Sequence, residues 1–191
     1  MNLEEVSNLY TSQQTTKKLS AREYKDKYVN IDVTMKACKE CPIYSQNWSC
    51  PEFNFNPLKI WEEYDNIELI FTKINFTQEA INTKYNMEEM GNIIENTLFL
   101  ERNRLIPQLE EKEILLNGRY LSAGSCTYCK KCARIDNKPC KYPNKCRNSI
   151  ESIGGLVSDT IEGEFNETLK WIDVEKGQLP ENLSLLMAIL Y

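Results

Sequence analysis

The sequence predicts an α/β or α+β fold, with a small central sheet, flanking helices and a cysteine-rich metal-binding lobe. Three observations carry this. Segments 67–76 (IELIFTKINF) and 183–191 (LSLLMAILY) have the apolar and β-branched content of buried strands. The stretch after Asn86 repeats apolar residues at helical spacing for several turns. Eight cysteines are confined to two short segments, 38–51 and 124–150, in a chain of 191 residues that is 41% hydrophobic and 27% charged, the balance of an ordinary globular protein. Residues 1–191 are therefore expected to form a single metal-binding domain.

Taken in order, residues 1–26 are polar and predict no more than a short N-terminal helix. Val29, Ile31, Val33 and Met35 then alternate with Asn30, Asp32, Thr34 and Lys36, the period of a half-buried strand leading into Cys38. Pro57 suits the first position of a short helix with Leu58, Trp61 and Tyr64 on one side. Segment 67–76 follows as a central strand. Asn86 and Glu89 have the spacing of a capping box, opening a helix with an apolar stripe of Met90, Ile93, Ile94, Leu98 and Leu105. Pro107 is expected to kink or interrupt it, with a second helical stretch running to Leu116 and stopping at Asn117-Gly118. Residues 119–123 form a short strand that delivers the chain through Gly124 into Cys126. The cysteine segment itself reads as loops and single turns. Residues 149–153 predict a brief helix closed by Gly154-Gly155, residues 164–174 another helix, and 183–191 the final buried strand. No internal repeat is present beyond Cys-x2-Cys.

Charge and compartment decide how the cysteines are read. The first ten residues carry two acids and no basic region of an export signal. The longest strongly apolar run, 183–191, is about half of what a membrane-spanning helix needs. The expectation is a cytoplasmic protein without membrane insertion. In a reducing compartment, dense cysteines point to metal or thiol redox chemistry rather than disulfides. A net charge of -5 argues against general nucleic-acid binding. The charge is uneven: Lys130, Lys131, Arg134, Lys138, Lys141, Lys145 and Arg147 gather within 126–147 against Asp136 alone. Such a patch would offset thiolate charge and steer an acidic redox partner of ferredoxin or flavodoxin type. There is no histidine, so any proton transfer falls to Asp, Glu, Lys, Tyr or Cys.

The first cysteine group is Cys38, Cys41 and Cys50, in CKECPIYSQNWSCP; the second is Cys126, Cys129, Cys132, Cys140 and Cys146, in CTYCKKCARIDNKPCKYPNKC. Three thiolates at steps of three, as in Cys126-x2-Cys129-x2-Cys132, wrap one face of a cube-shaped cluster, the form of the ferredoxin run. Zinc more usually takes two separated Cys-x2-Cys knuckles. The first group supplies three ligands and needs a fourth. If the second lends one, each site has four: Cys126, Cys129, Cys132 and Cys140 in one, and Cys38, Cys41, Cys50 and Cys146 in the other. The roles of Cys140 and Cys146 are interchangeable at this level. All eight are thus candidate ligands for one or two [4Fe–4S] clusters, with zinc as the alternative. Pro42 and Pro51 fix the backbone after a cysteine, and Tyr44 and Trp48 either shield the first group from water or belong to the core.

The motifs CKECPIYSQNWSCP, AGSCTYCKKCA and CKYPNKCRNSIESIG resemble a prokaryotic family of small, cysteine-rich predicted metal-binding proteins of unknown function, common in anaerobic bacteria and archaea. The resemblance runs from about Val29 to the C-terminus. It implies Cys38, Cys41, Cys50, Cys126, Cys129, Cys132 and Cys140 as metal ligands. Cys146 stands where the family pattern has a small residue, and Lys141 where it has arginine. The resemblance implies metal binding and no particular reaction.

Three functions compete. The first is an electron-transfer or other redox protein with two clusters. The second is an enzyme or cofactor-handling protein whose cluster keeps one open position. The third is an interaction module whose fold zinc stabilises.

Overall fold

The computed structural model describes residues 1–172 and 176–191. Its framework is a four-stranded antiparallel sheet in the order β1-β2-β4-β3, with β1 Tyr10–Ser20, β2 Asn66–Phe76, β3 Arg119–Leu121 and β4 Asn182–Leu190. Helices α1 Leu3–Ser7, α2 Ala21–Tyr28, α3 Ile31–Glu40, α4 Lys59–Glu62, α5 Gln78–Asn82, α6 Met87–Leu116 and α7 Val157–Phe165 surround it. The fold is α+β. Among the described residues, no helix is long and apolar enough to cross a membrane.

The central pair, β2 and β4, is apolar on both faces because each face is covered. Ile70, Ile74 and Phe76 of β2 join Leu183, Leu185, Met187 and Ile189 of β4 under Val6, Met90, Ile93, Leu105 and Leu109. On the opposite face, Ile67, Leu69 and Phe71 join Leu186, Ala188 and Leu190 under Tyr24, Tyr28, Trp61, Ile153 and Ile161. Alternate residues of one strand thus serve two layers. Each such side chain contributes about 1.5–3 kcal/mol on burial. The two strands expected at 67–76 and 183–191 are this pair.

Four elements differ from expectation. Residues 31–40 form helix α3 rather than continuing a strand from Val29. The Asn30 side chain accepts the Val33 amide at 3.2 Å and caps the helix, and Asp32 lies in its first turn. The cap and the burial of Thr34 prevail over the alternation, and Val33 is left 53% exposed. The helix of residues 87–116 is unbroken at Pro107. Leu105 and Leu109, on either side of it, are buried against the sheet, and their burial offsets the lost backbone bond. The helix expected at 164–174 instead spans Val157–Phe165 and closes at Asn166 in the left-handed conformation, with φ 54°. The part of that expectation at 173–174 lies outside the described residues. Finally, the polar N-terminal segment contains β1, in register with β2 from Tyr10↔Phe76 to Ser20↔Asn66. It is exposed on both sides along most of its length, so no hydrophobic alternation marks it.

One buried carboxylate fastens β1 and α2 to α7. Glu164 receives Lys17 at 2.7 Å, Lys27 at 2.9 Å and the Tyr28 hydroxyl, and its side chain is 5% exposed. Burial alone would raise its pKa. The hydrogen bonds from Lys17, Tyr28 and Lys27 outweigh burial and hold it down to about 2. Its unfolded value lies near the ordinary ~4.3, so the folded protein binds fewer protons there. This stabilisation is complete above that value and disappears as pH falls towards 2. Urea titrations between about pH 6 and 2.5 should show it, with Glu164→Gln removing about 1 kcal/mol of the pH-dependent stability, a figure reduced for the half-exposed lysines.

Candidate metal centre

The first cysteine group is built on the end of α3. Cys38 lies in its last turn and Cys41 is its C-cap, donating its amide to the Cys38 carbonyl at 3.0 Å. The chain then turns tightly, with Ser45 at φ 58° and its amide bonded to the Cys50 carbonyl at 3.1 Å, which brings Cys50 back. Asn47 Oδ1 accepts the amides of Ser49 at 3.1 Å and Cys50 at 3.0 Å. The group therefore rests on a helix end and an asparagine-stabilised turn.

The second group begins where β3 leaves the sheet. Gly124 at φ 63° turns the chain into Cys126, and Arg102 of α6 holds this corner by donating Nη1 to the carbonyls of Ala123 (3.1 Å) and Ser125 (2.8 Å). A single 3-10 turn, Ala133–Asp136, follows Cys132 and ends at Asn137 in the left-handed region. Cys126, Cys129, Cys132, Cys140 and Cys146 all line one small cavity of about 20 Å³, with Ala133, Tyr128 and Tyr142 among its other walls. That is room for about one water. Cys146 stands here, beside Cys126 and Cys140, and not with Cys38, Cys41 and Cys50.

The two groups pack against each other. The Ser49 hydroxyl, fully buried, accepts the Cys126 amide at 2.9 Å and lies 3.7 Å from Cys50 Sγ. Asn148 donates Nδ2 to the Ser49 carbonyl at 3.0 Å and accepts Arg119 Nη2 at 2.7 Å, tying the first group to β3. Further out, the Trp48 indole donates to the Lys138 carbonyl at 3.1 Å. Arg134 lies 4.6 Å from the Trp48 ring centre and donates to the Ser45 carbonyl at 2.8 Å. Trp48 is thus a seam between the groups rather than a core aromatic. Sequence reasoning missed Ser49, Asn148 and Arg102. The first two had one local signal, their places beside Cys50 and just after Cys146-Arg147.

The electrostatics of the groups differ. In the second, Cys126 is drawn down to about 6 by a hydrogen bond from the Cys146 thiol, the Tyr128 amide and the charge of Arg102, against the effect of burial. Cys146 is pushed up as the proton-bearing partner of that pair. In the first, burial pushes Cys38 and Cys50 up, and the negative charge of Glu151 adds to it at both. All eight cysteines are free thiols. Among the described residues, no three Cys, Asp or Glu side chains gather as a site for one metal ion.

A family described as "Predicted metal-binding protein (DUF2284)" matches residues 23–190. The chain belongs to this family. No curated protein and no solved structure matches it. For this DUF2284 protein, metal binding is therefore the property the family description predicts, and the matched span contains both cysteine groups.

Asn148 is the structural tie that can be tested without touching a thiol. Asn148→Ala strands the Ser49 carbonyl and Arg119 Nη2 in a buried setting, at a cost of about 1–3 kcal/mol. Chemical denaturation should register the loss. Thiol labelling of the metal-free protein should become faster at Cys50 and Cys126 than at Cys140.

Proposed function

We propose that this protein is an iron–sulfur protein acting in electron transfer, with one centre in each cysteine group. The observation that supports it most is the meeting of the groups at Ser49, whose single hydroxyl touches both Cys50 Sγ and the Cys126 amide. The donor set fits. Five thiols surround one cavity, and the Cys126-x2-Cys129-x2-Cys132 spacing suits a cube-shaped cluster better than a single tetrahedral ion. Bound clusters would supply reversible one-electron exchange.

On this reading Cys126, Cys129, Cys132 and Cys140 hold the second centre. Cys146, where the family pattern has a small residue, donates to the Cys126 thiolate from beside it. Tyr128 and Tyr142 limit water at that site. Lys130, Lys138 and Lys141 are exposed and carry no ion pair among the described residues, so they are free to steer an acidic redox partner. A reducing cytoplasm suits eight free thiols. A second reading, an enzyme with an open metal position, draws support from the first group's three cysteines.

Oxygen-free purification followed by iron, sulfide and zinc analysis decides the matter. About eight irons and eight sulfides per chain, with a brown colour that dithionite bleaches, are expected. Cys129→Ser should remove about half of the iron, while Cys146→Ser should keep nearly all of it. A colourless protein holding only zinc would sink the proposal. Charge reversal at Lys130, Lys138 and Lys141 together should slow reduction by an acidic ferredoxin about tenfold at low salt, and the difference should shrink as salt is raised.

A further inference from the structure

We infer that the slot beside the open edge of β4, lined by Glu95 and Arg102 of α6, binds a short extended peptide of about three residues with free amino and carboxyl ends. The inference goes beyond the metal-centre reading and does not depend on it. It begins from an interrupted sheet. Asn66 and Tyr191 exchange both backbone bonds, at 2.8 and 3.0 Å, and this sets the alternation along β4. Leu183, Leu185, Met187 and Ile189 therefore bond to β2, while Ser184, Leu186, Ala188 and Leu190 turn their backbone groups to the other side. There β3 meets Leu190 and Ala188 and stops at Leu121. Ala123 is next in the ladder, but it gives its carbonyl to Arg102, and Gly124 at φ 63° turns the chain aside. Among the described residues, Ser184 and Leu186 have no strand partner on that side.

A cavity of about 580 Å³ opens at this edge, within the roughly 300–1,000 Å³ of small-ligand sites. Ser184 and Leu186 line one side of it, and Ala123 and Ser125 another. The slot lies in the plane of the sheet. Leu98 and Phe99 of α6 wall it from one face and Val157 of α7 from the opposite face. A strand added here would continue the pairing that β3 begins, with apolar walls for side chains pointing up and down.

The polar groups of the slot fit the two ends of such a peptide. Arg102 meets no carboxylate among the described residues: its Nη1 serves two carbonyls, and its Nε is buried without a partner. Glu151 Oε2, belonging to another wall residue, is a buried acceptor without a donor. Both are costly to leave so. A peptide supplies a carboxylate for the arginine and main-chain N–H donors for the glutamate. Glu95 is exposed and stands two turns before Arg102 on α6, roughly 10 Å by helix rise. Three extended residues span roughly the same length. An ammonium end at Glu95 and a carboxylate end at Arg102 thus set both the length and the direction of the occupant. Ser125 and Thr127, on either side of Cys126, also line the slot, so the occupant adjoins the second cysteine group.

The test is titration calorimetry of the full chain, purified without oxygen, against the tripeptides Ala-Leu-Ala, Ala-Phe-Ala, Ala-Lys-Ala and Ala-Glu-Ala. The first two should bind saturably at millimolar concentration, about tenfold more tightly than free leucine. Amidating the carboxyl end should weaken binding about tenfold, the worth of one charge-assisted bond. Acetylating the amino end should weaken it severalfold, because Glu95 is open to water. N-methylation of the central residue removes a main-chain donor and should also weaken binding severalfold. Arg102 holds the corner at Ala123 and Ser125, so its part is read from the peptide rather than from a variant. Glu95→Gln should erase the effect of acetylation, and Phe99→Ala should reduce the preference for the Leu and Phe peptides. Both positions are exposed, and circular dichroism checks the fold. Absence of saturable binding by all four peptides, or binding indifferent to capping and N-methylation, would overturn the inference whatever metal the protein holds.

Discussion

The pairing of β2 with β4 is the constraint on which the rest of the molecule depends. Both strands are apolar on both faces, so two separate layers must form before either is satisfied. That requirement places α6 on one side and α2, α4 and α7 on the other. It also leaves one edge of β4 free for β3, from Arg119↔Leu190 to Leu121↔Ala188. Because β3 is short and ends beside α6, Arg102 can hold the corner at which the chain enters the second cysteine group. The site is thus an outgrowth of the sheet.

The polar contacts between the cysteine groups do a different job from the apolar layers. Ser49, Asn148 and Arg119 are linked in a chain from the first group to β3, and each bond serves a buried atom. Buried polar networks of this kind define one arrangement more than they add stability, since their alternatives leave donors and acceptors unpaired. Two thiol groups far apart in the chain are held in one geometry by these contacts. Their electrostatic settings are unlike. Arg102 and the Cys146 thiol favour thiolate at Cys126, whereas Glu151 and burial disfavour it at Cys38 and Cys50. The two cysteine groups therefore differ in how readily each yields thiolate.

Several elements were readable because their signals are local. Asn86 and Glu89 form the capping box their spacing implied, with each side chain bonded to the other's backbone. The strands near 67–76 and 183–191 carry more apolar surface than a solvent-facing element tolerates, and they are the central pair. Other elements were not readable, and each has a reason. β1 is polar on both faces, and only its partner's edge makes it a strand. Val29 to Met35 alternate like a strand, yet a single side-chain cap at Asn30 and the docking of residues 154–155 turn the segment into a helix.

The sequence by itself determined a small sheet with flanking helices, α/β or α+β, eight thiols in two groups, and membership of a family predicted to bind metal. Composition, period and spacing are properties of neighbouring residues, so they survive without a fold. Only the tertiary structure decided that Cys146 stands with Cys126 and Cys140, that Ser49 joins the groups, and that Asn148 ties them to β3. Those are contacts between residues up to about a hundred positions apart, fixed by how two layers close over one sheet, and no local pattern encodes them.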